Sequence, residues 1–167
     1  GLTAAFYLAE TGYRPTVFEK SKHPGGMLRY GIPSYKLEKD LLDAEIDVAK
    51  AMGVEIKTGI EVGKDVTIQQ LREQGYKAFY IAIGCAAGRL PGLENENAEG
   101  VMTAIDYLHD ANCGNAPFVG KVVVVGGGNV AIDASRVSAR NAASSVLQFS
   151  LEKEPDMPAS VEEIKEA

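Results

Sequence analysis

The stretch Lys121-Val-Val-Val-Val-Gly-Gly-Gly-Asn-Val-Ala131 decides the fold of this 167-residue chain. Four consecutive valines predict a strand covered on both faces, as in a parallel sheet. Three glycines follow directly, and residues 131–140 have the pattern of a helix. This order of strand, glycine turn and helix matches the G-x-G-x-x-G/A pattern of dinucleotide-binding units. We therefore predict a dinucleotide site here, with a purely structural turn as the alternative.

Each position of this turn has a chemical reason. Gly126 allows the tight turn, and Gly128 lets the backbone approach a pyrophosphate without a Cβ in the way. Ala131 keeps the helix close to the strand. The N-terminus of the helix, at Asn129 and Val130, offers unpaired N–H groups and a partial positive charge to the phosphates.

The strand predicted over residues 145–150 leads into Ser150-Leu151-Glu152. A carboxylate there would accept hydrogen bonds from the ribose hydroxyls and repel a 2′-phosphate, for which an arginine would be expected. Glu152 therefore favours NADH over NADPH, although the neighbouring Lys153 weakens the repulsion. The alternative is a solvated glutamate at the start of an acidic loop.

The start of the chain predicts a second, incomplete unit of the same kind. Residues 2–11 predict a helix ended by Gly12, and residues 15–19 predict a short strand. If Gly1 is the last glycine of another G-x-G-x-x-G, Glu19 stands where the ribose-binding acid belongs, about 20 residues on. Neither end of the chain carries the signals of a natural terminus, so we expect a piece of a longer polypeptide, truncated at both ends.

Strands and helices alternate along the rest of the chain, which predicts an α/β fold. Glycines and prolines predict a long ordered loop over residues 21–37. The predicted helices are residues 38–52, with Leu42, Ile46, Ala49 and Met52 on one face, a helix that begins with a capping box at Thr67, and residues 101–109. The further predicted strands are residues 54–58 and a buried strand at 78–83.

Composition excludes several classes of protein. The chain is 46% hydrophobic and 24% charged with a net charge of −6, which favours a folded domain and disfavours nucleic acid or an anionic membrane as partner. No apolar run approaches the ~18 residues that a membrane span needs. The two cysteines fit neither a disulfide framework nor a four-ligand zinc site, and we predict no metal site. A cytoplasmic location is the natural expectation.

Four segments together resemble one flavoprotein family. They are Pro24-Gly-Gly-Met-Leu-Arg-Tyr-Gly-Ile-Pro33, Ala82-Ile-Gly84, Gly126-Gly-Gly-Asn-Val-Ala-Ile-Asp133 and Met157-Pro-Ala-Ser-Val-Glu-Glu-Ile164. Their order along the chain is similar to that in the small-subunit type of glutamate synthase, a family shared with the flavin/NADPH half of dihydropyrimidine dehydrogenase.

The resemblance implies two Rossmann-like units. Residues 1–117 would be an FAD-binding unit that lacks its first strand and its C-terminal segment, and residues 118–167 the start of an inserted NAD(P)-binding unit. FAD contacts are implied at Gly1, Glu19, Lys20, Gly25, Gly26, Met27, Leu28, Val62 and Gly84. Nicotinamide dinucleotide contacts are implied at Gly126, Gly128, Asn129, Val130, Ala131 and Glu152.

The resemblance also implies a reaction, in which a hydride passes from NADH to FAD and electrons then leave toward an iron–sulfur domain or subunit. A glutamate synthase large subunit is one candidate for that partner. NADPH-using members carry Tyr-Arg-Arg where this chain has Ser150-Leu151-Glu152. The cofactors carry this chemistry, so we predict no catalytic side chain, and we expect the chain by itself to be inactive.

Two other functions stay open. A flavoenzyme of the disulfide-reductase type would need a C-x-x-C motif, which Cys85 and Cys113 do not supply. A non-enzymatic dinucleotide-binding module would bind no flavin and would be colourless.

Several single residues carry their own expectations. Cys85 is expected to be a small buried residue, with a contact to the flavin or a redox role as the alternative. Arg136 is expected to form an ion pair with Asp133, with a reach toward a phosphate as the alternative. His23 either contacts a cofactor or lies exposed in its loop. Tyr30 and Tyr35 either flank the flavin or anchor their loop.

Overall fold

Two pairs of parallel strands, each packed against helices, form the framework of the chain. The structure is a computed structural model, and it describes residues 1–115 and 120–167. The chain divides into two compact units, residues 1–29 with 37–85 and residues 30–36 with 86–167. The predicted boundary between residues 117 and 118 lies outside the described residues and stays a prediction. The predicted α/β class is confirmed.

The first unit is built around two parallel strands. Its elements are α1 (Leu2–Glu10), β1 (Thr16–Glu19), α2 (Met27–Tyr30) at its edge, α3 (Lys39–Ala51), β2 (Glu55–Thr58) and α4 (Ile68–Glu73). Thr16 lies opposite Glu55, and Glu19 lies opposite Thr58. Small side chains make the core between α1 and α3, where Ala5, Ala49 and Val54 are buried together. Residues of this size let the two helices approach closely.

Local sequence signals set the ends of these helices. The capping box of α4 is present, with the Thr67 hydroxyl accepting from the Gln70 N–H at 3.1 Å and the Gln70 side chain accepting from the Thr67 N–H at 2.8 Å. On α3, Leu42, Ile46 and Ala49 are buried as predicted, whereas Met52, predicted on the same face, is the C-cap residue and is exposed.

The second unit repeats the arrangement of strands and helices. Its elements are α5 (Ala104–Asn112), β3 (Lys121–Val125), α6 (Asn129–Arg140), β4 (Ser145–Phe149) and α7 (Val161–Glu166). The parallel register sets Lys121 opposite Ser145 and Val125 opposite Phe149. The buried core of this unit lies between α5, α6 and the sheet, and consists of Tyr107, Leu108, Val124, Ala131, Ala134 and Val137.

The predicted buried strand at residues 78–83 is wrong for this structure. The segment joins neither sheet, and Tyr80 and Ile83 are 72% and 88% exposed. A strand needs the backbone groups of a neighbour, and none of the described residues pairs with this segment. An apolar run alone therefore did not determine that a strand forms.

Three smaller expectations also need correction. Val123 and Val125 are 59% and 63% exposed whereas Val124 is buried, so the described helices cover only one face of β3. The predicted loop 21–37 contains the short helix α2. The helix predicted over 101–109 begins at Ala104 instead, because the Thr103 hydroxyl caps it by accepting from the Asp106 N–H. No helix in the described parts of the chain is long and apolar enough to cross a membrane.

Candidate functional site

The glycine turn after β3 leads directly into α6. Gly126 has φ +143°, a region that favours glycine, and its N–H donates to the Phe149 carbonyl at 2.7 Å. A Cβ at Gly126 would lie 3.3 Å from the Cβ of Ala131, so turn and helix are in close contact. Gly128 is the N-cap residue of α6. The order of strand, turn and helix predicted from the sequence is therefore present.

All three glycine carbonyls of this turn accept hydrogen bonds from the protein. The donors are the Gln148 side-chain amide to Gly126 at 2.9 Å, the Ala159 N–H to Gly127 at 3.1 Å, and the Ala131 and Ile132 N–H groups to Gly128 at 2.9 and 3.2 Å. The N–H groups of Asn129 and Val130, the first two residues of α6, have no acceptor within the helix and lie at the end that carries its partial positive charge. This arrangement suits an anion such as a pyrophosphate.

The space around the glycines separates their roles. A Cβ at Gly127 would lie 2.9 Å from the Cβ of Ser150 and 3.1 Å from a carboxylate oxygen of Glu152, so Gly127 packs against the protein. Among the described residues, and apart from its own neighbours along the chain, no atom would lie within 4 Å of a Cβ at Gly128. Gly128 thus borders open space where a ligand can approach the backbone, and the residues present fit a dinucleotide. The sequence alone did not identify the packing role of Gly127.

Glu152 lies beside the glycine turn, as its contact with the Cβ position of Gly127 shows. The chain bends back there because the Ser150 hydroxyl donates to the Glu152 carbonyl at 2.7 Å. Both Leu151 and Glu152 are exposed, so a ligand on the turn could reach their side chains. The role of Glu152 at a ribose stays a prediction.

The segment 157–160 is fastened to the same turn. The Ala159 N–H contacts Gly127 as described, and the Ser160 N–H donates to the Asn129 side chain at 2.8 Å. The Asn129 side-chain oxygen is therefore engaged with the protein, which leaves the backbone N–H and the side-chain NH₂ as the groups by which this residue could contact a cofactor. The sequence had drawn attention to the segment 157–160 only through the family resemblance.

A second anchoring network involves a Ser135–Gln148 pair that sequence reasoning missed. The Ser135 hydroxyl donates to the Gln148 side-chain oxygen at 2.7 Å, and the Gln148 amide donates to Gly126. Gln148 is a polar residue on the face of β4 that packs toward α6, where Val146 is apolar. This break in the apolar pattern of β4 is the signal that could have found it.

A cluster of charged residues connects the loop 30–36 to α6. Asp133 is buried, and its carboxylate lies 2.5 Å from the Lys36 ammonium and 3.4 Å from the Tyr35 hydroxyl. Lys36 also pairs with Glu163 of α7. The predicted ion pair between Arg136 and Asp133 is wrong, because Lys36 takes the buried carboxylate. Arg136 instead pairs with Glu163 and Glu166, at 3.4 and 3.1 Å.

The two tyrosines of this loop anchor it within the second unit. The Tyr35 ring lies 4.8 Å from the Arg136 guanidinium and 4.2 Å from that of Arg140. The Tyr30 ring stacks on His109 at 4.8 Å. These contacts are the anchoring role that the sequence left open, and a place for either ring beside the flavin stays a prediction.

Burial and charge shift the pKa values of two groups in this cluster. Burial lowers the pKa of Lys36, but the hydrogen bonds and attraction of Asp133 and Glu163 outweigh it, and the net pKa is raised. Burial raises the pKa of Tyr35, and the charge of Asp133 adds to this, against an opposing effect of Arg136. Both groups therefore keep their protons in neutral solution.

The glycine turn of the first unit is held differently. Gly25 has φ +126°, and a Cβ there would lie 2.9 Å from a methyl carbon of Leu42. The Arg29 Nε–H donates to the Pro24 carbonyl at 2.6 Å, and the guanidinium pairs with Asp43 of α3. Gly26 has φ +54° and open space around its Cβ position. Arg29 was not among the predicted site residues.

The other predicted FAD contacts lie at the surface of the first unit. A Cβ at Gly1 would lie 3.4 Å from that of Ala82, and the Glu19 carboxylate accepts from the Ser21 N–H at 2.8 Å. The exposed positions of this set are Lys20, Met27, Leu28, Val62 and Gly84. His23 is exposed as well. These residues fit a large ligand along an open loop, and their roles stay predictions.

Cys85 is exposed, which corrects the expectation of a buried residue. It follows the segment 78–83, whose side chains are mostly uncovered in the described structure. Cys113 is exposed too. Within the described residues, no group of three or more His, Cys, Asp or Glu side chains could hold a metal ion.

Comparison with known proteins identifies the family. Residues 1–165 match the model of the pyridine nucleotide-disulphide oxidoreductase family, and the chain belongs to it. The chain is 43% identical to the NADP(+)-dependent formate dehydrogenase subunit beta of Moorella thermoacetica, covering 100% of this chain and 24% of that protein. It is 35% identical to the glutamate synthase [NADPH] small chain of Escherichia coli, covering 100% of this chain and 38% of that protein.

A further relative is the NAD-dependent dihydropyrimidine dehydrogenase subunit PreT of Escherichia coli, 35% identical and matched over 100% of this chain and 40% of that protein. The predicted resemblance to the glutamate synthase and dihydropyrimidine dehydrogenase group is confirmed. The chain spans 24–40% of the length of these three curated relatives.

Among solved structures, FprA from Mycobacterium tuberculosis has the same fold. One FprA structure has a TM-score of 0.80 at 18% identity, covering 99% of this chain and 44% of that chain. A second, of FprA in complex with NADPH, has a TM-score of 0.76 at 17% identity, over 99% of this chain and 43% of that chain. At this level of identity the likeness concerns the fold.

Proposed function

We propose that this member of the pyridine nucleotide-disulphide oxidoreductase family forms part of an FAD-dependent enzyme that takes reducing equivalents from NAD(P)H. The observation that carries the proposal is the Gly126–Gly128 turn. Its carbonyls are all bound by the protein, while Gly128 faces open space at the N-terminus of α6. A dinucleotide pyrophosphate is the ligand that this turn fits.

The first unit would hold FAD. Glu19 ends β1 where a carboxylate can accept from ribose hydroxyls, and the open side of Gly26 leaves room for the flavin nucleotide. The further proposed contacts are Gly1, Lys20, Gly25, Met27, Leu28, Val62 and Gly84. When bound, FAD supplies hydride acceptance from NAD(P)H and release of electrons one at a time. The protein's own residues bind and orient, and none acts as a catalytic acid or base.

We propose that the second unit prefers NADH. Leu151 and Glu152 are exposed beside the turn, and a carboxylate there favours ribose hydroxyls over a 2′-phosphate. The named relatives include both NADP-dependent and NAD-dependent proteins, so family membership does not decide the preference.

Exchanging the charge beside the turn tests this preference. Replacing Glu152→Arg together with Leu151→Arg in the full-length protein should raise the kcat/KM ratio of NADPH to NADH by about tenfold or more, because guanidinium groups would pair with the 2′-phosphate. The exposed Glu162→Arg, on α7, is the control for exchanging a glutamate for an arginine and should leave the ratio unchanged. An unaltered ratio in the double variant would remove the role assigned to Glu152.

The electron acceptor is proposed to be an iron–sulfur domain or subunit in the cytoplasm, with a glutamate synthase large subunit as one candidate. In support, three relatives of the chain are a formate dehydrogenase subunit beta, a glutamate synthase small chain and a dihydropyrimidine dehydrogenase subunit. Because the chain spans 24–40% of those relatives, we propose that it has no activity by itself.

Gly128→Ala tests the proposed dinucleotide site. Its Cβ would meet no atom of the described residues within 4 Å beyond its chain neighbours, so the melting temperature should fall by no more than about 3 °C, the cost of alanine at an N-cap. The Cβ would, however, occupy the space that the pyrophosphate needs. In the full-length protein, purified with its flavin, we expect NADH to bind about tenfold more weakly, measured by calorimetric titration. The exposed Ser145→Ala on β4 serves as the control. Equal affinity of wild type and Gly128→Ala would contradict a dinucleotide at this turn, and a full-length protein without yellow absorbance would contradict the flavin.

A further inference from the structure

Gln148, a half-buried polar residue of β4, contacts the glycine turn. The inward face of β4 consists of Val146, which packs on the core, and Gln148. A half-buried amide costs free energy unless its hydrogen bonds are made. Gln148 makes both, since it accepts from the Ser135 hydroxyl at 2.7 Å and donates to the Gly126 carbonyl at 2.9 Å. The three groups form a relay from the second turn of α6, through β4, to the glycine turn.

This relay fixes the orientation of one peptide group. The peptide bond between Gly126 and Gly127 is planar and trans, so its C=O and N–H point in opposite directions. When Gln148 binds the Gly126 carbonyl, the Gly127 N–H is turned to the side away from Gln148. A glycine peptide without this bond would rotate easily, because glycine has few steric restraints.

The direction of the relay follows from its donors. The Ser135 hydroxyl can donate to Gln148, which places the carbonyl oxygen of the amide at Ser135 and its NH₂ group at Gly126. The reverse orientation would set two carbonyl oxygens against each other. The Gly126 carbonyl, which can only accept, therefore selects this orientation, and the Ser135 hydroxyl stabilises it by donating to the amide oxygen.

We propose that Gln148, supported by Ser135, is a positioning residue for dinucleotide binding: it orients the Gly127 N–H toward the pyrophosphate. The proposal rests on the function proposed above. It assigns a ligand-related task to residues that do not touch the ligand, and it predicts that their effect depends on the pyrophosphate.

The test compares three variants of the full-length flavin-loaded protein with wild type. Gln148→Met keeps the length of the side chain without its hydrogen bonds, and Gln148→Glu replaces the donor by an acceptor that repels the Gly126 carbonyl. Ser135→Ala removes the donor to the amide oxygen of Gln148 and so weakens its hold on the turn. The exposed Ser145→Ala, at the start of β4, is the matched control. The probes are ADP-ribose, which contains the pyrophosphate, and adenosine, which does not.

We expect Gln148→Met to lower the affinity for ADP-ribose by about fivefold to tenfold, as for the loss of one hydrogen bond. Its affinity for adenosine should stay within about twofold of that of the wild type. Gln148→Glu should lower the affinity for ADP-ribose more than Gln148→Met does. Ser135→Ala should lower it less, by about twofold to threefold. Hydride transfer at saturating NADH should stay within about twofold of wild type in Gln148→Met, because the turn acts in binding and not in the reaction. If Gln148 had only a structural role, its substitution would lower the affinities for ADP-ribose and adenosine equally.

Equal loss of ADP-ribose and adenosine affinity, or no loss in Gln148→Met and Ser135→Ala, would overturn the proposal. If Gln148→Met does not fold, Ser135→Ala alone decides, because an unchanged ADP-ribose affinity there excludes the relay. A wild type that binds neither ADP-ribose nor NADH would instead contradict the proposed function, so the two failures are distinguishable.

Discussion

The Gly25–Gly26 turn of the first unit is held by a charged side chain, whereas the Gly126–Gly128 turn of the second is held by neutral hydrogen bonds. In the first, Arg29 binds the Pro24 carbonyl and pairs with Asp43, whose side chain is 54% exposed. In the second, the donors are a side-chain amide and backbone N–H groups. Salt screens an exposed ion pair but acts little on neutral hydrogen bonds. Two turns with the same proposed task therefore depend on different physical conditions.

The largest effect is expected where a glycine is both strained and crowded. Gly25→Ala should lower the free energy of unfolding of the first unit by about 3 kcal/mol, because φ +126° disfavours a Cβ that would also lie 2.9 Å from Leu42. Gly26→Ala is the matched control, with φ +54° and open space, and should cost about 1 kcal/mol. Equal losses in urea unfolding would show that crowding by Leu42 has no effect.

Charge also contributes in the second unit, but to the loop 30–36 and not to the turn. Lys36→Met leaves the buried carboxylate of Asp133 without its cation, and should lower the stability of this unit by about 2 kcal/mol. Lys50→Met removes an exposed pair with Asp47 and should cost about 0.3 kcal/mol. Thermal unfolding of both variants checks this, and a Lys36 effect as small as that of Lys50 would contradict the importance of the buried pair.

Salt should separate the two turns directly. Arg29→Met is expected to lower the stability of the first unit by about 1 kcal/mol in dilute buffer, and by less at high salt, where the Arg29–Asp43 attraction is already screened. The factor by which Gln148→Met lowers the affinity for ADP-ribose, relative to wild type, should be the same at low and high salt. Urea unfolding and titration at two salt concentrations measure these differences. A salt-independent Arg29 effect would show that its bond to Pro24, and not the pair with Asp43, holds the turn.

The smallest expected effect is a loss of stability in alkali. The pKa of Tyr35 is raised in the folded chain, so above about pH 10 the unfolded chain releases this proton while the folded chain retains it. Stability contributed by Tyr35 is therefore present below that pH and falls as the pH rises further. The raised pKa of Lys36 acts in the same direction from about pH 10.5. Tyr35→Phe should flatten the decline of the melting temperature above pH 10, and an unchanged slope would argue against this.

The sequence predicted the parts of the fold whose causes are local. The capping box of Thr67 and Gln70 depends only on residues within one helical turn. Three glycines after four valines likewise produce a turn at the end of a strand. The prediction of a strand at 78–83 was wrong, because a strand depends on a neighbouring strand, which a local pattern does not supply. The prediction that Cys85 is buried was wrong for the same reason, because burial depends on which other parts of the chain cover a residue.

The sequence by itself determined the Gly126–Gly128 turn, the helix that follows it and the family, and hence the kind of ligand expected. The reason is that backbone conformation and helix ends depend on neighbours a few residues away. Only the tertiary structure decided that Lys36 and not Arg136 pairs with Asp133, and that Gln148 holds Gly126. Such contacts join residues distant in sequence, and their energy depends on distance and burial, which the order of residues does not state.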